Sequence, residues 1–78
     1  MFFYVQKYIF ENPWGSPILL EGASDLTSYI LALRLANEMN KEAGGYERYI
    51  VFHSEIKPST KEIVKVKSGD IEFFVKHD

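Results

Sequence analysis

The segment that most constrains the fold is one helical stretch, residues 24–43, which is apolar around most of its circumference. At about 100° per residue, its apolar side chains fall into two stripes. The first stripe consists of Leu26, Tyr29, Ile30, Leu33 and Ala36. The second stripe, at i, i+4 and i+8, consists of Leu31, Leu35 and Met39. An arc of about 100° suffices to dock a helix on a sheet, so this helix carries surplus apolar surface.

The helix boundaries are predicted from its flanking residues. Ser24 is a good N-cap, and Asp25 complements the positive end of the helix dipole. Gly44 and Gly45 predict a left-handed stop. We expect the first stripe to face the sheet, which leaves the second stripe either covered by loops or free to bind a partner.

The remaining sequence predicts strands. Residues 2–10 are rich in aromatic and β-branched types, and the turn formers of 11–17 lead into a short strand at 18–20 that pairs with the first in a hairpin. Residues 46–56 alternate cleanly, which predicts a third strand with Ile50 and Phe52 facing the helix. A turn at 57–60 and a two-residue Ser68-Gly69 turn predict a final hairpin.

The predicted order is therefore ββαβββ in a single domain spanning residues 1–78. We expect a two-layer α+β fold, in which one helix packs on one face of an antiparallel sheet of four to five strands. The opposite sheet face then carries aromatic side chains that no second helix covers. Four of them are Tyr4, Tyr8, Tyr49 and Phe74.

No residue pattern predicts an enzyme, a cofactor or a metal site. The chain has no cysteine, and Gly44-Gly45 lacks the lysine of a phosphate-binding loop. His53 and Glu55 lie on one strand face without an evident third metal ligand, and Ser54 lies on the other face. No apolar run is long enough to span a membrane and no signal peptide is evident, so we expect a cytoplasmic protein.

The surplus apolar surface favours a protein that binds another protein or a second copy of itself, because interfaces are enriched in Tyr, Trp, Phe and Met. A homodimer formed through antiparallel helices is one expected arrangement. The residues expected to contact the partner are Tyr4, Tyr8, Tyr49, Phe74, Leu31, Leu35 and Met39.

The alternative hypothesis is a module that binds single-stranded nucleic acid, with bases stacked on sheet aromatics and phosphates held by Lys57, Lys65 and Lys67. A net charge of −2 and a content of only two arginines weigh against it. The aromatic-glycine pattern of RNA-recognition domains is also absent.

In general character, the chain resembles the small single-domain inhibitors made by phages and other mobile elements, anti-CRISPR proteins among them. The resemblance lies in its length of 78 residues and its lack of enzymatic residues, and it involves no specific motif. It implies a protein that inhibits by binding.

Overall fold

A computed structural model describes residues 1–22 and 24–66. One helix packs on one face of a mixed sheet of five strands, so the predicted two-layer α+β class is confirmed. The predicted last strand, within residues 70–75, lies outside the described residues. In chain order the elements are β1 (Phe2–Ile9), β2 (Asn12–Pro13), β3 (Ile18–Gly22), α1 (Asp25–Glu42), β4 (Glu47–Ser54) and β5 (Glu62–Val66).

Strand β1 lies at the centre of the sheet. It pairs antiparallel with β4 along its whole length, while β2 and β3 lie on its other side, also antiparallel. The predicted hairpin between β1 and the strand at 18–20 is therefore confirmed. The expectation of a wholly antiparallel sheet is wrong, because β5 pairs parallel with β3. Residues 55–61 carry the chain from β4 to the far side of β3, in place of the predicted tight turn.

A bulge separates β2 from β3. The register passes from Tyr8 opposite Pro13 to Val5 opposite Ile18. Three residues, 15–17, therefore lie opposite the single residue Gln6. The buried Gln6 carboxamide stabilises the bulge by donating hydrogen bonds to the carbonyl oxygens of Trp14 and Gly15, both at 3.2 Å. Gly15 has a φ of 76°, which costs glycine little because it lacks a Cβ atom.

The helix begins as predicted and ends differently. The Ser24 hydroxyl accepts a hydrogen bond from the Thr27 N–H at 3.1 Å, so Ser24 is the N-cap. At the other end Ala43 is extended, and Gly44 and Gly45 do not adopt positive φ, so the predicted left-handed stop is wrong. A turn in which the Glu47 N–H donates to the Gly44 carbonyl leads the chain into β4 instead.

The helix faces the sheet with a side that lies near the second stripe and shares only Ala36 with the first. Ser28, Ala32 and Ala36 are buried at every fourth position, and these small side chains let the helix approach the sheet closely. Leu31 is consequently buried with only 5% of its surface exposed, whereas Leu33 from the predicted inner stripe is 44% exposed. The assignment of the first stripe to the sheet is therefore wrong for most of its residues.

The faces of β4 are also the reverse of those expected. Val51 pairs with Val5, which is 1% exposed in the core under the helix, and Tyr49 pairs with Lys7 on the same side. Because side chains alternate along a strand, Ile50 and Phe52 point to the opposite face. The alternation of β4 was predicted correctly, but its two faces were assigned the wrong way round.

Leu31 and Leu33 offer a matched test of the helix orientation. Leu31→Ala removes a side chain from the core and should lower the free energy of unfolding by about 2–4 kcal/mol. Leu33→Ala should cost less than about 1 kcal/mol, since much of that side chain already contacts water. Urea denaturation at one fixed protein concentration measures both. Equal losses, or a larger loss for Leu33→Ala, would contradict this orientation.

Candidate binding surface

The sheet face opposite the helix, called the open face below, carries a ladder of aromatic rings across β1 and β4. Tyr4 pairs with Phe52 in the register, and their rings stack with centroids 5.6 Å apart and planes inclined by 22°. The Tyr8 ring contacts the same Phe52 ring at 6.1 Å. Phe52 thus joins the two tyrosines into one continuous surface.

The ladder continues past the strand ends through Phe10 and Tyr46. Their rings stack at 4.7 Å, and the Phe10 N–H donates to the Tyr46 carbonyl at 2.8 Å. Phe10 is 67% exposed and Tyr46 is 68% exposed, so this pair projects furthest into solvent. Together with the partly exposed Ile50, these residues form one surface. We call it the aromatic cluster, and it consists of Tyr4, Tyr8, Phe10, Tyr46, Ile50 and Phe52.

The lower part of the aromatic cluster borders an open groove of about 590 Å³. Tyr8, Ile50 and Phe52 supply its apolar lining from the sheet. Two exposed charged residues, Glu11 and Arg48, also line it. Glu47 lines it too, but its carboxylate is bound by Lys7 at 3.1 Å. Within the described part of the chain neither Glu11 nor Arg48 forms an ion pair, so the groove offers one unpaired anion and one unpaired cation next to apolar side chains.

Phe10 holds a backbone conformation that a bulky residue rarely adopts. Its φ is 56°, where the Cβ atom crowds the neighbouring carbonyl oxygen, at a cost of about 1–2 kcal/mol. Such strain persists only where surrounding contacts hold it, and it is concentrated at functional sites. Here the hydrogen bond and ring stacking to Tyr46 hold Phe10 in place.

Of the residues expected to contact a partner, only two lie in the aromatic cluster. Tyr4 and Tyr8 are on the open face as expected, and their binding role stays a prediction. Phe74 lies outside the described residues. The expected open-face position of Tyr49 is wrong, because the β1–β4 register turns it to the helix side.

The expected helix residues do not form an exposed stripe. Leu31 is corrected to a core residue, whereas Leu35 is half-buried and packs against the core, and its contact with a partner stays a prediction. Met39 is half-buried and meets Tyr49 in a separate groove of about 430 Å³ at the end of the helix. Asn40 stabilises that region, since its carboxamide accepts from the Tyr49 N–H at 2.7 Å and donates to the Tyr49 carbonyl at 2.9 Å.

Two of the lysines expected to hold phosphates are engaged by one carboxylate. Glu21 on β3 lies beside Lys65 on β5 and binds its ammonium, and it also binds Lys57 at 3.1 Å. The hydrogen bond from Lys65, and then that from Lys57, hold the pKa of the Glu21 carboxyl below its ordinary value. Lys67 lies outside the described residues. Binding to phosphate would therefore compete with Glu21 for both of these lysines.

Sequence reasoning missed five members of the candidate binding surface, because it assigned Ile50 and Phe52 to the core and gave no role to Glu11, Tyr46 or Arg48. One signal could have set the phase of β4 correctly. Lys7 and Glu47 form a 3.1 Å ion pair across the two strands, and this pair raises the pKa of Lys7. Pairing these opposite charges on one face places odd-numbered residues of both strands together.

Residues 1–22 and 24–66 contain neither a metal-binding cluster nor a helix that could span a membrane. Among these residues, no group of three or more His, Asp or Glu side chains is placed to hold a metal ion. Helix α1, the one helix in this part of the chain, lacks the apolar length needed to cross a membrane.

Comparisons with protein families, curated proteins and solved structures give no match for this chain.

The shared carboxylate predicts a defined pH dependence of stability. The pKa of Glu21 is lower in the folded chain than in the unfolded chain, so its contribution is present above the unfolded value and is lost as pH falls through the folded value. Glu21→Gln should lower the melting temperature at neutral pH by a small amount, because the site is partly exposed. The difference from wild type should vanish in acid.

Thermal denaturation across a pH series at low salt measures this effect. Glu38→Gln is the matched control, because it removes a helix carboxylate bound to one exposed lysine, Lys41. A melting-temperature difference for Glu21→Gln that stays constant from neutral pH into acid would contradict the shared ion pair.

Proposed function

We propose that this chain acts by binding another protein molecule through the aromatic cluster, without catalysing a reaction. The observation that carries the proposal is the continuous ring surface on β1 and β4, which ends in the stacked and highly exposed pair Phe10 and Tyr46. Exposed apolar patches of this kind mark interaction sites on soluble domains.

The composition and rigidity of the cluster support a protein partner. Tyr, Phe and Arg are enriched at interfaces, and the groove beside the cluster combines Tyr8, Phe52 and Arg48. Most of these side chains stand on paired strands, and the Phe10 and Tyr46 rings are held by stacking. Little rotamer freedom is therefore lost when a partner binds, which improves affinity.

A domain of 78 residues that binds without catalysis suits two roles. It can act as an inhibitor by covering a working surface of its target, or it can act as an adaptor formed by two copies of the chain. The lack of cysteine suits the reducing cytoplasm, and we place the protein there.

Single-stranded nucleic acid is the less supported ligand. The rings of the cluster suit base stacking, but Lys57 and Lys65 are held by Glu21, and the net charge is −2. Among the cluster-lining residues the cation is Arg48. This alternative predicts affinity for oligonucleotides that falls steeply with salt.

Two substitutions at Phe10 test whether its backbone conformation is strained. Phe10→Asn relieves backbone strain, because Asn tolerates positive φ, but it loses the ring stacking worth about 0.5–1.5 kcal/mol. The two effects should nearly cancel in the free energy of unfolding. Phe10→Ala loses the ring and keeps the strain, so it should be less stable than Phe10→Asn by about 1 kcal/mol.

Chemical denaturation of the two variants at a fixed, low concentration measures this difference. If Phe10→Ala and Phe10→Asn are equally stable, the positive φ at Phe10 carries no strain, and the backbone there no longer supports a functional site.

The proposed function is tested by capture from an extract of the source cell. Wild type, Phe10→Asn and Leu26→Asn serve as baits, where Leu26→Asn is the matched control at an exposed position on the helix. We expect the same protein to be captured by wild type and by Leu26→Asn and to be lost with Phe10→Asn. Capture that is unchanged by Phe10→Asn but lost with Leu26→Asn would move the binding surface to the helix.

A further inference from the structure

We propose that the partner of the aromatic cluster is a second copy of this chain, with Arg48 of each copy facing Glu11 of the other. This inference rests on the proposed function and names its partner. The arrangement is an isologous interface, in which the same patch on both copies meets itself across a two-fold axis.

The charges in the groove are self-complementary. Glu11 and Arg48 line the same groove, both are exposed, and neither forms an ion pair among the residues that the structure describes. Consider a two-fold axis that lies in the plane of the interface and is the perpendicular bisector of the line between these two side chains. It places each cation against the anion of the other copy, so two opposite-charge pairs form at once.

The apolar part of the patch can also meet itself. Phe10 and Tyr46 line the groove as a stacked pair, and both are about two-thirds exposed. Tyr8, Ile50 and Phe52 add to its apolar lining. In a two-fold contact the exposed rings of each copy are buried against the apolar lining of the other.

These features favour a second copy over a foreign protein. A foreign partner would have to supply an anion, a cation and an apolar surface in matching positions. This chain presents all three within one patch, on residues of β1, the turn after it and the start of β4. A two-fold contact therefore pairs both exposed charges and buries the exposed rings of the patch.

The experiment uses two charge reversals, Arg48→Glu and Glu11→Arg, with sedimentation velocity over a concentration series. In a dimer of Arg48→Glu, the new carboxylate of each copy faces Glu11 of the other. In a dimer of Glu11→Arg, the new guanidinium of each copy faces Arg48 of the other. Like charges in an interface oppose association, so each variant alone should dimerise at least about tenfold more weakly than wild type. In the mixed dimer that forms from an equimolar mixture of the two variants, one contact joins the native Glu11 and Arg48, and the other joins the new carboxylate and the new guanidinium.

Both contacts of the mixed dimer join opposite charges. The equimolar mixture should consequently associate about as strongly as wild type, although each single variant alone associates weakly. The double variant Arg48→Glu with Glu11→Arg restores opposite charges at both contacts with itself. It should therefore recover the dimerisation of wild type and should bind wild type weakly.

Matched controls carry the same charge changes away from the groove. Lys41→Glu and Glu42→Arg lie on the exposed end of the helix and should dimerise like wild type. Circular dichroism and melting temperature show that every variant is folded before its mass is measured.

Three results would overturn the inference. A wild type that stays monomeric at every concentration removes the second copy as partner, while the extract experiment still decides whether the cluster binds a foreign protein. Dimerisation that is unchanged in both single reversals places the interface elsewhere. Weak association in both single variants without recovery in the double variant shows that Arg48 and Glu11 do not face each other.

Discussion

The register between β1 and β4 is the constraint on which the candidate binding surface depends. Pairing Val5 with Val51 under the helix sends their neighbours, Tyr4 and Phe52, to the open face. A shift of one residue in this register would exchange the two faces of β4 and bury Ile50 and Phe52 instead. The Lys7–Glu47 ion pair and the Asn40 bonds to the backbone of Tyr49 both stabilise the observed register.

The helix completes this arrangement through its small residues. The helix lies close to the sheet at its small residues Ser28, Ala32 and Ala36, and Leu31 fills the core between the helix and the sheet. A single helix covers one face only, so the aromatic rings opposite it remain available for contact. The positive φ of Phe10 places its ring in solvent next to the open face, at a cost in local stability.

The sequence predicted the existence and type of the elements better than their faces. Ser24 as the helix start, the hairpin of β1 with β3 and the alternation of β4 follow from local chemistry. Which face of the helix and of β4 is buried could not be predicted, because both sides of each element carry apolar residues. Giving most weight to large side chains also overlooked the buried stripe of small residues that contains Ala32. The parallel pairing of β5 depends on the path of a seven-residue connection, which composition alone leaves open.

Hydroxyl-radical footprinting of the chain at increasing concentration tests the central claim, that the aromatic cluster is exposed in the free chain and is covered when a partner binds. At the lowest concentration, Phe10 and Tyr46 should be oxidised rapidly and the buried Phe3 slowly. As concentration rises, or as a captured partner is added, oxidation should fall at Phe10 and Tyr46 and stay constant at Tyr29 on the helix. Protection confined to Tyr29, or slow oxidation of Phe10 and Tyr46 in the dilute chain, would contradict the account.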